Sequence, residues 1–328
     1  MLKYIIKRIF YIIFVLFLVS ILLFSIFVNM PGDPALMMIE GQEQDMTPEQ
    51  WEIAYQRARE ILGLDDPMLM RYFRWLGNTL TGNFGWSSVH RMPVIDAIRA
   101  PMANTIVINI FTLILVFSIT IPIGVVSAIR RGGIFDNTAL FGTMIGFSIP
   151  TFLFALIMIF IFAITLQWLP LFGMSSPIAP PRGTLEWFLD RGRFMTLPLI
   201  TMVLGGTAGL VRIVRASMID SLTMDYIRTA RSKGLKEKTV IYSHAFRNAL
   251  IPVITVMTGW FIGVFGGSVA IERMFSWNGM GNVMITSLVQ RDFGVVMTMN
   301  VFYALIAFVG LLLMDIAYAI ADPRIKFA

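Results

Sequence analysis

Cysteine is absent from all 328 residues, and histidine occurs only as His90 and His244. The first absence excludes disulfides, thiolate nucleophiles and zinc–thiolate sites. The second leaves no basis for a histidine metal centre, and none is expected. Charge is scarce as well. Only 14% of residues are Asp, Glu, Lys or Arg, against about 25% in an ordinary soluble domain. Also missing are the phosphate cradle G-x-x-x-x-G-K-[ST], the dinucleotide turn G-x-G-x-x-G, the zinc motif H-E-x-x-H and the nucleophile elbow G-x-S-x-G. No catalytic residue and no cofactor bound by this chain is therefore expected.

What fills the sequence is apolar: 57% of residues are hydrophobic. Six long greasy stretches run over Ile9–Met30, Thr105–Ile129, Asn137–Leu166, Phe194–Val211, Leu250–Ile271 and Phe293–Ile320. As helix, the first spans about 33 Å, enough for a hydrocarbon core of about 30 Å. It exceeds a signal-peptide core and lacks a small-x-small cleavage site, so it reads as a retained helix. The third and sixth exceed one crossing, and tilt or a break at Pro150 absorbs the excess. The expectation is an all-α membrane protein with six transmembrane helices.

Basic residues orient it. Lys3, Lys7 and Arg8 precede the first stretch, which puts the N-terminus in the cytoplasm; six crossings return the C-terminus there. The inside segments then hold all six lysines and 15 basic against 5 acidic residues, while the outside segments hold 11 against 14. The net +6 is thus a sidedness signal, and no nucleic-acid partner is expected. Residues 31–104 form an external region. Within it MTPEQWEIAYQRAREIL reads as a helix with Thr47 as N-cap, Pro48 at its first position and Gly63 as its stop.

The stretches carry no interior Lys, Arg, Glu or His, and the one acid, Asp315, lies near an end. Ion-coupled transporters usually bury an ionisable group in the bilayer. Here Asp315 reads as an interfacial ion pair, with Arg324 in reach, or as a helix cap. Gly259, Gly263 and Gly267 repeat every four residues, as do Gly142 and Gly146, with Gly205, Gly206 and Gly209 in the fourth stretch. Such spacing lets helices approach closely, within the chain or at a seam with a partner subunit. Pro122, Pro150 and Pro198 are candidate kinks.

The charges that do exist are concentrated. Arg228 to Arg247 contains six Lys or Arg, one histidine and one acid. Gly234 separates DYIRTARSK from KEKTVIYSHAFRNAL, as a left-handed C-cap would. A short helix, a sharp turn and a second helix would make a compact basic knob beneath the membrane; the plain alternative is a solvated loop attracted to anionic lipid.

This stretch resembles the EAA loop of ABC importer permeases in the form used by the dipeptide and oligopeptide branch. Arg228-Thr229-Ala230 takes the E-A-A position, Gly234 is the loop glycine, and Asn248-Ala249-Leu250-Ile251-Pro252 closes the loop. Further landmarks agree in order along nearly the whole chain: Pro31-Gly32-Asp33-Pro34, LGLDDP (Leu62–Pro67), RYFRWLGN (Arg71–Asn78), GNFGWS (Gly82–Ser87), SIPTF (Ser148–Phe152), ERMFSWNGMG (Glu272–Gly281) and Asp322-Pro323-Arg324. Asn278 and Gly294 depart from the family pattern, each standing where proline is common.

The resemblance implies a type I ABC importer permease fold with an external insertion between helices 1 and 2. Its parts would be residues 1–30 (first helix), 31–104 (external scaffold) and 105–328 (permease core), with the coupling loop at about 217–249. It implies the membrane subunit of an importer for di- and oligopeptides in the prokaryotic inner or plasma membrane, forming half of the pathway. The partners implied are a homologous second permease subunit, two cytoplasmic ABC ATPases that use ATP and Mg, a substrate-binding protein outside, and membrane lipid. The coupling residues implied are Arg228, Thr229, Ala230, Arg231, Lys233, Gly234, Leu235, Asn248 and Pro252; Gly259, Gly263 and Gly267 are the candidate seam. No substrate-contacting residue is legible. The same pattern also serves nickel chelates, glutathione and oligosaccharides; an ion-coupled secondary transporter and a structural anchor are the rival classes. On the outer side, Trp75 and Trp86 read as scaffold packing, with interfacial anchors as the alternative; Glu272 and Arg273 read as an interfacial pair, with contact to a peptide terminus as the alternative; His90, like His244 on the coupling segment, reads as a surface or docking residue.

Overall fold

The computed structural model describes residues 2–29, 32–39 and 46–321. The Arg324 partner expected for Asp315, residue Pro31 and the Asp322-Pro323-Arg324 motif lie outside the described residues. Among those described, the chain is helical but for one small hairpin, and it divides into two compact units: residues 2–102 with 283–308, and 103–282 with 309–321.

In the first unit, α1 (Leu2–Val28) is apolar on all sides beyond Arg8, and of its described side chains only Ser20 and Phe24 are buried. Short α2 (Pro34–Ile39) packs on α3 (Pro48–Leu62). The α3 ends follow the sequence. The Thr47 hydroxyl accepts the Gln50 N–H while the Gln50 side chain accepts the Thr47 N–H, a reciprocal capping box. Gly63 closes the helix at φ 60°. Asp33 ties these pieces together: one oxygen accepts the Ala35 N–H (2.8 Å), the other the Tyr55 hydroxyl (2.5 Å). Helix α4 (Met68–Leu80) packs on α1 through Tyr72 and Trp75, so Trp75 is scaffold packing, as expected. A two-residue hairpin, β1 (Trp86–Ser87) with β2 (Met92–Pro93), is pinned by buried Asp292, which accepts the Ser87 hydroxyl (2.5 Å) and the Val89 N–H (3.3 Å). His90 is half-buried, and among the described residues its Nε2 has no hydrogen-bond partner.

The second unit is built around α8 (Leu185–Leu222), a 38-residue helix with ten buried residues. Three elements pack on it: the inner part of α5 (Val94–Ile129), the bent pair α6 (Ile134–Ser148) and α7 (Thr151–Met158), and α11 (Arg247–Gly263). Between α6 and α7 the axis turns by 97° at Ile149-Pro150. Proline disfavours helix at the residue before it, and the break, not tilt, absorbs the long third stretch. A π-helical segment, Ile159–Thr165, continues α7.

Among the described residues, five helices are long and apolar enough to cross a membrane, with the bent pair in addition. Their ends correct the sequence reading twice. The fourth stretch extends on both sides through Arg191, Arg193, Arg212 and Arg215, because helix geometry continues where hydropathy stops. The fifth ends at Gly263, not Ile271. A turn over residues 264–266 terminates it, and a separate short helix, α12 (Val269–Met274), follows. Gly267 is therefore not on the helix that carries Gly259 and Gly263. The remaining helices are α13 (Met280–Val289) and α14 (Phe293–Ala321).

Candidate functional site

The basic stretch folds as an elbow. Helix α9 (Asp225–Ser232) ends at Lys233, and Gly234 follows at φ 74°. The Leu235 N–H donates to the Ala230 carbonyl (3.4 Å) and the Gly234 N–H to the Arg231 carbonyl (2.9 Å). This bond pair is the Schellman arrangement, which needs a left-handed residue at the glycine. The chain then enters α10 (Glu237–Thr239) and a π-helical segment, Val240–Phe246, and passes into α11 without a break. The second helical piece is thus not a separate knob but the root of the fifth apolar helix. Glu237–Gly263 is one rod of 27 residues, about 40 Å long.

The elbow has two faces. Arg228, Thr229, Arg231, Lys233, Gly234 and Lys236 are exposed, as is Leu235 at 40%. Arg231 pairs with Glu237 across the turn (2.6 Å), and Arg228 lies 3.9 Å from Asp225. The other face is buried. Ile227, Ala230, Val240, Ile241, Ala245 and Ala249 join Met218 and Val214 of α8 and Val125 and Ala128 of α5 in one core. Two serines of α8 secure it: Ser221 donates to the Ala245 carbonyl and Ser217 to the Ala249 carbonyl, both at 2.7 Å. The apex is offered to solvent while the base is locked to α8 and to the root of α11. Asn248 and Pro252 stand apart from the apex; they lie along the exposed side of the rod, Pro252 inside α11, and Asn248 donates to the His244 carbonyl (2.8 Å).

Beside the elbow, Asp136 at the start of α6 is 1% exposed and bound by Arg215 of α8 through two bonds (2.5 and 2.7 Å) and by the Gly132 N–H (2.9 Å). The forked pair fixes α6 to α8.

The opposite end of the rod is capped by a residue far away in sequence. The Asn109 amide of α5 donates to the Gly263, Val264 and Gly266 carbonyls (3.3, 3.0 and 3.1 Å), groups that a helix end leaves without intrahelical partners. One turn away on α5, Thr105 donates to Oε1 of Glu272 (3.1 Å) and accepts the Met280 N–H (2.8 Å), while Oε2 of Glu272 accepts the Asn282 N–H (2.7 Å). Glu272 is 4% exposed and Arg273 is exposed, so the expected interfacial pair does not form. Burial pushes the Glu272 carboxyl above its ordinary range, partly offset by these donors. Gly267 and Gly281 pack backbone to backbone around it. Asn104 accepts from Arg191 (3.2 Å) and donates to the Asn278 carbonyl (2.8 Å), joining the start of α8 to this loop.

The glycines divide. Gly146 meets Ala208, Gly205 meets Thr151 and Gly206 meets the Trp260 ring, so these serve packing within the chain. At Gly259 and Gly263 an added Cβ would meet nothing within 4 Å. Asn109, the Asp136–Arg215 pair and the Glu272 hub escaped sequence reasoning. Ser217/Ser221 and Ala245/Ala249, each spaced by four, were the one available signal for the serine anchors.

Among the described residues, five helices long and apolar enough to cross a membrane, with a polar elbow at the root of one of them, define a polytopic membrane protein. Comparisons place it. The family described as binding-protein-dependent transport system inner membrane component matches residues 120–327, and its N-terminal counterpart matches residues 1–106. The chain belongs to this family of ABC transporter membrane components. It is 39% identical over 328 residues, all of both chains, to the oligopeptide transport system permease protein AppB of Bacillus subtilis. It is 33% identical over 324 residues, 99% of both, to a probable peptide ABC transporter permease of Sinorhizobium fredii. It is 34% identical over 327 residues, all of both, to the glutathione transport system permease protein GsiC of Escherichia coli K12. Among solved structures, the inward-facing MetNI methionine ABC transporter shares the fold, at TM-score 0.53 and 15% identity over 70% of this chain and 97% of that one. The fold is that of a type I ABC importer permease.

Proposed function

We propose that this chain is one half of the translocation pathway of an ATP-driven importer of short peptides, and that the elbow around Gly234 receives the force. The observation that carries the proposal is the two-faced elbow: an exposed apex on a base locked to α8 and α11. A partner that grips the apex moves both helices together. The rod brings that motion to its Asn109-capped end, where the Glu272 hub begins. ATP hydrolysis then belongs to separate subunits: two cytoplasmic ATPases that use ATP and Mg, with a homologous permease subunit alongside and a binding protein outside. Gly259 and Gly263 present a close-approach surface to that second subunit. The chain crosses the membrane six times, the bent α6–α7 pair counting once, with both termini cytoplasmic. Residues 1–30 form the first helix, 31–104 an external scaffold and 105–328 the core, with the coupling loop at about 217–249.

The peptide assignment rests on full-length relatives named for oligopeptides and peptides. Glutathione, named in other relatives, is itself a three-residue peptide and falls within the same cargo class. The test is a cysteine at Leu235, unique in this chain, in the purified complex. A short bifunctional reagent is expected to join it to an ATPase subunit, whereas a cysteine at Leu80 gives no such product. An unlinked Leu235 position overturns the coupling assignment.

A further inference from the structure

Helix α4 has three faces. Tyr72 and Trp75 pack on α1: the Tyr72 hydroxyl meets the Ser20 hydroxyl at 2.8 Å, and Phe24 lies 5.4 Å from the Tyr72 ring and 5.7 Å from the Trp75 ring. A second face lines up Leu69, Phe73, Leu76 and Leu80 at helical spacing. Leu69, Phe73 and Leu80 are 69%, 56% and 79% exposed. The third face, on the far side from that stripe, carries Arg71, Arg74 and Asn78; Arg74 pairs with Asp66 at 2.6 Å. In water such an apolar stripe is unfavourable by about 25 cal/mol for each Å² of apolar surface. Apolar and polar stripes on opposite sides of one helix are the signature of a helix lying in a membrane interface.

The position on α1 fixes the depth. The membrane-crossing part of α1 is Ile6–Val28. Tyr72 touches Phe17, Ser20 and Phe24, which lie eleven, eight and four residues before the Val28 end, about 16, 12 and 6 Å along the axis, while Trp75 meets α1 at the Phe24 level. An interfacial helix sinks its apolar face about 5–10 Å. The surface of α1 beside the contact is itself apolar and exposed, including Phe14, Phe17 and Ile21, so the lipid-facing surface of α1 continues onto the stripe of α4. We propose that α4 is a membrane-interface helix: Leu69, Phe73, Leu76 and Leu80 enter the acyl chains of the leaflet around the Val28 end of α1, with Arg71, Arg74 and Asn78 among the headgroups. The segment between the first two long helices is then held at the bilayer by its own contact with lipid.

Because the chain has no cysteine, single-cysteine variants give one labelling position each. Leu69→Cys, Phe73→Cys and Leu80→Cys are compared with Arg71→Cys and Asn78→Cys, each carrying a nitrobenzoxadiazole probe on this chain in the purified complex reconstituted into phosphatidylcholine vesicles. Doxyl-labelled phosphatidylcholine is expected to quench the first set several-fold more than the second, and aqueous iodide to show the reverse. Stripe positions quenched by iodide place the face in water; stripe positions shielded from both quenchers place it against protein. Either result overturns the proposal. The polar-face variants share the same helix and report on its folding.

Discussion

Replacing Gly234 with valine isolates the elbow from everything else in the molecule. An added Cβ there meets nothing within 4 Å, so crowding contributes nothing. The whole penalty is conformational, because φ is 74° and a left-handed residue with a Cβ costs about 1–2 kcal/mol. That converts to about a 5–30-fold loss of the Schellman geometry. Side-chain effects at the turn are smaller: the Arg231–Glu237 pair is about half exposed, and such pairs contribute about 0–1 kcal/mol. Backbone conformation therefore outranks charge. Gly234→Val is expected to lower labelled-peptide uptake about 5–30-fold while the amount of chain in the membrane stays unchanged. Gly234→Asn, which tolerates the left-handed region, retains most uptake, and Arg231→Ala lowers it less than about five-fold. Uptake by Gly234→Val at the wild-type rate refutes the reasoning. So does equal loss in the valine and asparagine variants, which would make the absence of a side chain the requirement.

Three further outcomes follow from the anchors. Asp136→Ala leaves Arg215 without its carboxylate in a half-buried site, and breaking a buried pair costs about 3–5 kcal/mol; thermal unfolding in detergent should show a large drop, partly recovered in Asp136→Ala/Arg215→Ala. Asn109→Leu takes this donor from the partly buried Val264 and Gly266 carbonyls, at about 1–3 kcal/mol for a buried group, so hydrogen exchange at Gly263–Gly267 should accelerate while exchange at the elbow does not. Glu272 has its carboxyl raised by burial, so the native state favours the protonated form. Its contribution is complete below the unfolded value near 4.5 and is lost as pH rises through the folded one; Glu272→Gln should flatten that slope of stability against pH, and an unchanged slope would assign it to other groups.

How much of this was legible depended on how local its cause was. Gly234 could be read because a C-cap is decided by a few neighbouring residues, and so could Thr47, Pro48 and Gly63. The apolar stretches were visible, but their ends were not. Hydropathy reports which residues tolerate lipid, whereas helix ends are set by caps, and the cap on α11 is Asn109, about 155 residues away. The four-residue glycine spacing was real, yet Gly267 fell beyond the helix because the chain turns at residues 264–266, directly after Gly263. Glu272 read as a surface ion because Arg273 follows it; the hydroxyl and N–H groups that hold it come from elements on both sides of the sequence.

These hidden contacts share a direction. The serine anchors join the elbow to α8, the continuous rod joins it to Gly263, Asn109 ties that end to α5, and Thr105, one turn along α5, holds Glu272. Each link is a buried or partly buried polar bond whose loss leaves a group unpaired. Each therefore resists stretching more than apolar packing alone, which slides at little cost. Under the coupling we propose, this series is the route by which work done at the elbow reaches the Asn109-capped end. The apolar helices supply the bulk of the fold, and this sparse polar series supplies its directionality.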